Sequence, residues 1–321
     1  MARLPAPIPP TLPWPVLHLR ELLDAGMSAQ HVRRADLVSL RRGLYARRGI
    51  PITEIDVVAA LCRADPTLVV VDLSVARMLD APLPRAMSPW RRGMPVHVNV
   101  TDPSRRGSSD SVLRFHARAL ERDETCRFRT PVSPTGVRSV LPITSPARTW
   151  RDLARYLDLG QLVEVGDHLV RTPRRAFEGR STPWTSVREL AEHCTGPHSA
   201  RLRAALADVR AGADSPMETR LRLAFARAGL PAPLLNQPMV AADGRALHSP
   251  DFSWPRWRVC GEYEGRTHSA PDQITKDIAR TLRAEAAGWV ELRFAAPDAA
   301  NDCARAVHRT REALLARGWV G

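Results

Sequence analysis

The sequence predicts a multidomain chain of the mixed α+β and α/β class. At 321 residues it exceeds what one small core can organise and suits two or three domains. Its 44% hydrophobic and 25% charged content is that of an ordinary globular chain, which excludes disorder throughout. Short β-like runs alternate with helical stretches between Pro- and Gly-rich breaks. No run of 18 or more apolar residues occurs, and Pro5, Pro7, Pro9, Pro10, Pro13 and Pro15 interrupt the apolar core that a signal peptide requires. The expectation is a cytoplasmic protein with no membrane partner. Cys62, Cys126, Cys194, Cys260 and Cys303 are odd in number and scattered, so they support neither a disulfide framework nor a zinc-finger cluster.

The balance of 47 basic against 34 acidic residues gives a net charge of +13, which points to nucleic acid. Lys276 is the only lysine, so arginine supplies 46 of the 47 cations. That skew matches the codon usage of a GC-rich genome, and only the location of the charge then carries information. Residues 16–52 hold seven arginines against three acids, the densest basic block of the chain.

Residues 1–15 are a proline-rich lead, and residues 16–52 read as a winged helix-turn-helix. Val16–Ala25 places Val16, Leu19, Leu22 and Leu23 at helical spacing, and Gly26 ends the helix. Ser28 caps a second short helix through Ala35. Leu37–Gly49 then forms two short strands around an Arg41-Arg42-Gly43 turn, a β-wing. A helix started at Ser28 can enter the major groove with Gln30, His31, Arg33 and Arg34 facing bases or phosphates, while Arg41 and Arg42 of the wing contact phosphate. The competing reading is a small helical cap whose arginines are merely solvated.

Residues 53–180 read as an α/β module, with strands over Leu68–Leu73, Pro95–Val100 and Val112–Ala117 and helices over Ser74–Leu79 and Ala147–Leu157. Thr144 or Ser145 before Pro146 supplies an N-cap with proline in the first turn. His97 and His116 sit on strand-like segments with no further His, Asp or Glu at ligand spacing, so they read as satisfied or exposed histidines. Residues 181–214 read as a helical linker, with helices at Arg188–Cys194 and Ser199–Arg210.

The C-terminal domain is expected over 215–321 in the order α-β-β-β-α-β. Ser215-Pro216-Met217-Glu218 is a capping box opening a helix to Ala228. Strands follow at Asn236–Val240, Leu247–Trp254 and Val259–Glu264, then a helix over Ile274–Ala287 and a strand over Trp289–Phe294. Glu262 and Glu264, two apart on one strand, share a face, and Asp251 on the neighbouring strand can meet them. Three converging carboxylates repel unless a cation joins them, and hard oxygen ligands suit Mg²⁺ or Mn²⁺. An exposed acidic face has the same spacing.

Two resemblances follow from these residues. Leu22–Ser28 through Arg41-Arg42-Gly43-Leu44-Tyr45 is similar to the winged helix of AbiEi-type antitoxins of type IV toxin–antitoxin systems, and Leu141-Pro142-Ile143-Thr144-Ser145-Pro146-Ala147-Arg148-Thr149-Trp150-Arg151-Asp152-Leu153-Ala154 resembles a signature of their middle region. Over residues 215–289, Ser215–Arg222, Asp251–Pro255, Glu262–His268 and Asp277–Trp289 resemble, in order, the very-short-patch-repair-like branch of the PD-(D/E)XK endonucleases, a restriction-endonuclease-like fold. That resemblance implies Asp251 and Glu262 as metal ligands and Glu264 at the third active-strand position, where the branch usually has aspartate. It also implies His268 as a proton shuttle and Glu218 as a supporting acid from the first helix, although an ordinary surface histidine and a cap explain these two equally. Asp277 and Arg280, three apart, either orient the site or form a helix ion pair. The expected function is a DNA-binding protein with a Mg²⁺-dependent endodeoxyribonuclease domain. The alternative is a non-catalytic DNA-binding regulator or antitoxin, with a toxin or another protein as partner.

Overall fold

A computed structural model of the chain describes residues 7–100, 102, 109–174, 178–241, 244, 246–264 and 280–321. The fold is mixed α+β, with three sheets among the described residues, and it divides into two compact units, Met1–Tyr156 and Leu157–Gly321. No helix among the described residues is long and apolar enough to cross a membrane.

The first unit opens with β1 (Val16–His18), α1 (Leu19–Asp24), α2 (Ala29–Arg34), β2 (Leu37–Arg41) and β3 (Leu44–Arg47), in a sheet of order β1-β3-β2. The helix expected from Val16 is corrected at its start, because Val16–His18 pair antiparallel with Leu44–Ala46. Burying the β-branched Val16 together with Leu17 against β3 outweighs a helical spacing that includes Val16. His18 instead caps α1 in a reciprocal box with Glu21. Ser28 caps α2 by accepting the His31 N–H at 3.2 Å. Gly43, at φ 81°, makes the turn between β2 and β3. Leu12, Leu17, Leu22, Met27 and Val32 form the apolar core of this part.

The rest of the first unit is a five-stranded sheet made of β4 (Leu68–Val70), β5 (Val96–Val100), β6 (Leu113–Ala117), β7 (Thr125–Arg129) and β8 (Val140–Thr144), in the order β6-β5-β4-β8-β7. The pairs β5–β6 and β4–β8 are parallel, and β4–β5 and β7–β8 antiparallel. Helices α3 (Glu54–Ala64) and α4 (Asp72–Met78) pack on the sheet, and α5 (Pro146–Leu153) packs on α4. The strand expected to run to Leu73 stops at Val70, since Asp72 adopts φ 53° and begins α4. Ser145 takes the cap of α5, accepting the Arg148 N–H at 3.2 Å, with Pro146 in the first turn.

The second unit comprises α6 (Leu159–Val170), α7 (Val187–Glu192), α8 (Ser199–Asp208), α9 (Pro216–Arg227), β9 (Leu234–Leu235), β10 (Phe252–Trp254), β11 (Val259–Tyr263), β12 (Val290–Phe294) and α10 (Ala304–Ala316). Residues 280–286 are also helical. Helix α6 and the segment read as a linker thus lie in this unit, with α6 packed on α8 and α9. Buried Asp167 of α6 accepts hydrogen bonds from Thr219 at 2.9 Å and Arg222 at 2.7 Å, fastening α9.

The sheet order is β12-β11-β10-β9, with β11–β12 parallel and the other pairs antiparallel. The strand expected at Asn236–Val240 is replaced by Leu234–Leu235, and the one expected from Leu247 starts at Phe252. Asn236 turns the chain at φ 49°, and Pro238 and Pro250 have no N–H to give to a ladder. Phe252, Trp254, Val259 and Phe294 pack with Phe225 of α9 and Leu314 of α10 in the core of this unit. The opposite face carries Ser253, Cys260, Glu262, Glu291 and Arg293, as the register requires.

Gly261, beside Glu262, is set by this packing. A Cβ there would lie 2.6 Å from Cε2 of Phe294. Gly261→Ala is expected to cost about 1–3 kcal/mol through overpacking, read as a lower urea midpoint. An unshifted midpoint would show that the Phe294 ring yields freely.

Candidate functional site

Of the acids singled out in the C-terminal region, Glu218 and Glu262 both act electrostatically on Asp251, although the three do not form a donor set within 4.8 Å. Glu218 lies on α9, Asp251 directly before β10 and Glu262 on β11. Ser215 caps α9 by accepting the Glu218 N–H at 3.2 Å, but the reciprocal half of the expected capping box is absent. The Glu218 carboxylate, 4% exposed, instead accepts the Asp214 N–H and the Asn236 side-chain amide, each at 2.8 Å. The backbone N–H of Asn236 donates to the carbonyl of Asp251 at 3.2 Å, which ties the two acids to one turn. Asp251 accepts the Tyr263 N–H at 2.7 Å, which fixes it beside Glu262.

Burial is the largest influence on Asp251. Together with the negative charges of Glu218 and Glu262, it lifts the carboxyl from its ordinary 3.8 to about 7, against the pull of the Tyr263 N–H and Arg174. Burial also raises Glu218. Glu262 is paired with Arg280 at 2.6 Å and faces Nε2 of His248 at 3.4 Å.

The expected set of Asp251, Glu262 and Glu264 is corrected. Glu264 falls just past the end of β11, with its side chain half exposed and paired to Arg293 at 2.7 Å. In the C-terminal unit, the His/Cys/Asp/Glu set whose donor atoms lie within 4.8 Å of one another, among the described residues, is His248, Glu262 and Glu291. Spacing on one strand gave Glu264 the right face but not the reach, because cross-strand Arg293 holds it at the edge. His268 and Asp277 lie outside the described residues. Sequence reasoning passed over His248 and Glu291. Period two places Glu291 on the face of Arg293, and the parallel β11–β12 register sets it opposite Cys260, next to Glu262.

In the first unit, Gln30, His31 and Arg33 are exposed on α2, and Arg42 is exposed at the turn between β2 and β3. Arg34 is the last residue of α2. Arg41 is not a free cation, since it pairs with Asp110 at 2.8 Å with its side chain only 20% exposed. Arg47 is likewise spent on the carbonyls of Trp14 and Leu12.

His97 and His116, read as satisfied or exposed histidines with no further His, Asp or Glu at ligand spacing, have an acid beside them in the fold. Parallel pairing of β5 with β6 brings them together, with His97 Nδ1 3.2 Å from His116 Nε2, and Asp72 at the start of α4 joins them. The three are 25 and 19 residues apart, beyond any local spacing rule, so the signal lies in strand pairing alone. Asp72 is fully buried, and its carboxylate takes Arg118 at 2.8 Å and the Tyr156 hydroxyl at 3.1 Å. Arg118 continues to Asp152 at 3.1 Å, and Asp152 to Arg148 of α5 at 3.0 Å.

No family model matches the chain. Two uncharacterized proteins of Mycobacterium tuberculosis, one from strain CDC 1551 and one from strain H37Rv, are each 30% identical to it over 167 residues. The match covers 52% of this chain and 59% of each relative, so the chain spans less than two thirds of the length of the curated relatives it matches.

Proposed function

We propose that the chain is a DNA-binding protein whose C-terminal unit is a divalent-metal-dependent DNA endonuclease of the PD-(D/E)XK type. The observation that carries this reading is buried Asp251, lifted to about 7 by burial and by the negative charges of Glu218 and Glu262. A buried carboxyl lifted by neighbouring acids marks a site short of positive charge. Carboxylate oxygens are the donor type that Mg²⁺ or Mn²⁺ prefers, and in this reading Glu218 takes the place that spacing assigned to Glu264. When bound, such an ion would lower the pKa of a water and neutralise a scissile phosphate. The chain's own residues prepare the site: Asn236 orients Glu218, the Tyr263 N–H orients Asp251, and Arg280 holds Glu262.

The test is cleavage of supercoiled and mismatched DNA by the purified chain in Mg²⁺ or Mn²⁺, against an EDTA control. Cation-dependent nicking supports the assignment, and intact DNA across all these conditions overturns it. One observation favours a second reading, a non-catalytic DNA-binding regulator of the AbiEi antitoxin-like kind with a toxin or other protein as partner. Arg280 and His248 already engage Glu262, and Arg293 engages Glu264, so the acids have partners within the chain.

Both readings use the N-terminal helix pair and hairpin as a winged-helix DNA contact. The exposed Arg33 and Arg42 are assigned to phosphates and Gln30 and His31 to bases, whereas Arg41 serves Asp110. The double replacement of Arg33 and Arg42 by alanine is expected to weaken DNA binding and to flatten the slope of log K against log salt by about 1.8, near 0.9 per phosphate contact. Equal affinity and slope in the double variant would remove the winged-helix assignment.

A further inference from the structure

We propose that Asp72, His97 and His116 form a binding site for a borderline divalent transition-metal ion of the Zn²⁺ class in the first unit, separate from the acidic site of the second. The argument begins with the donor atoms. His116 Nε2 lies 3.2 Å from His97 Nδ1 and 3.2 Å from Asp72 Oδ2, and His97 Nδ1 lies 3.8 Å from the same oxygen. Ligands about 2.0–2.1 Å from a tetrahedral zinc ion are separated by about 3.3–3.4 Å along each edge. The triangle of two imidazole nitrogens and one carboxylate oxygen is therefore close to one face of such a tetrahedron.

The donor types agree with the geometry, since two imidazoles and one carboxylate suit Zn²⁺ and its neighbours better than Mg²⁺ or Ca²⁺. His116 Nε2 and His97 Nδ1 both point at the same carboxylate oxygen of Asp72, so one nitrogen from each ring faces the position a metal ion would take. A metal ion would use all three lone pairs at once.

The surroundings hold the ligands rather than compete for the site. Arg118 binds the other carboxylate oxygen, Oδ1, at 2.8 Å, leaving Oδ2 turned towards the histidines. The Tyr156 hydroxyl donates to Oδ2 at 3.1 Å, and its ring meets the His97 ring edge-on at 6.1 Å between centroids. Hydrogen bonds of this kind orient ligating carboxylates and imidazoles. The left-handed φ of 53° at Asp72 sets this side chain at the start of α4. Asp72 and His97 are buried, and His116, with its side chain 12% exposed, lies nearest to solvent.

The test is titration of the metal-stripped full chain with Zn²⁺, followed by calorimetry and thermal unfolding, for the wild type, His116→Gln, Tyr156→Phe and Glu262→Gln. At a hundredfold excess over Kd, Zn²⁺ is expected to raise the wild-type Tm by about 5–10 °C. His116→Gln, confirmed as folded by circular dichroism, should lose one bound ion per chain together with that rise. Tyr156→Phe keeps all three ligands and should weaken binding about 10–100-fold. Glu262→Gln controls for zinc held in the second unit and should retain the Tm rise. The proposal is overturned if the wild type binds no Zn²⁺, if His116→Gln keeps the full stoichiometry, or if Glu262→Gln alone removes it.

Discussion

Asp251→Ala is expected to abolish the proposed metal-dependent DNA cleavage while leaving the proposed DNA binding through the N-terminal region intact. Loss of a ligand in a phosphoryl site removes several kcal/mol of charge stabilisation, which corresponds to a rate loss on the order of 10²–10³ or more. The position also makes a pH prediction. Its folded pKa of about 7 lies above the ordinary 3.8, so between these values the folded chain holds a proton that the unfolded chain has released. The stability due to this group is full below about pH 4 and is lost as pH rises towards 7. Asp251→Asn removes the titration, and its Tm should match or exceed the wild-type value at pH 8 by more than it does at pH 4. Saturating Mg²⁺ should raise the wild-type Tm at pH 8 and leave that of Asp251→Asn unmoved. Wild-type cleavage rates in Asp251→Ala would exclude this carboxyl from the reaction.

Arg148→Met is expected to destabilise the first unit by about 3–5 kcal/mol, the cost of leaving buried acids without their cation. Arg148 is 3% exposed and bridges Glu124 and Asp152. Asp152 in turn pairs with Arg118, which holds Asp72. Arg151, one turn along α5, also reaches Glu124 at 3.0 Å but is more exposed, so Arg151→Met should cost less than about 1 kcal/mol. Scanning calorimetry reads both: a fall of roughly 6–20 °C in the melting of the first unit for Arg148→Met, and little for Arg151→Met. Equal melting of the two variants would deny the buried bridge its role. Residues 141–154 therefore have a structural role of their own in this chain. Ser145 caps the helix, Arg148 and Asp152 belong to a buried charge network, and Trp150 and Leu153 fill the core.

Local rules made much of the chain legible. Ser28, Ser145 and Ser215 start their helices as cap chemistry requires, and the Gly43 turn separates β2 from β3. These signals succeed because donor, acceptor and backbone conformation lie within a few residues of one another. Local spacing failed where a partner far along the chain decided the outcome. Val16–His18 fitted a helix until Leu44–Ala46 offered it a sheet edge. Glu262 and Glu264 share a face by period two, yet Arg293 of the neighbouring strand draws Glu264 to the rim.

By itself the sequence determined the mixed α+β class, the basic character concentrated at the N-terminal end, and the acids from which a metal site could be drawn. Tertiary structure alone decided which acids meet and which cations are free. It put Glu218 beside Asp251 through Asn236, committed Arg41 to Asp110, and joined Asp72 to His97 and His116 across a parallel strand pair. The physical reason is range. Caps and turns are settled over three or four residues, whereas burial, strand register and charge pairing depend on groups that the sequence holds tens of residues apart and only the folded chain brings within a few ångströms.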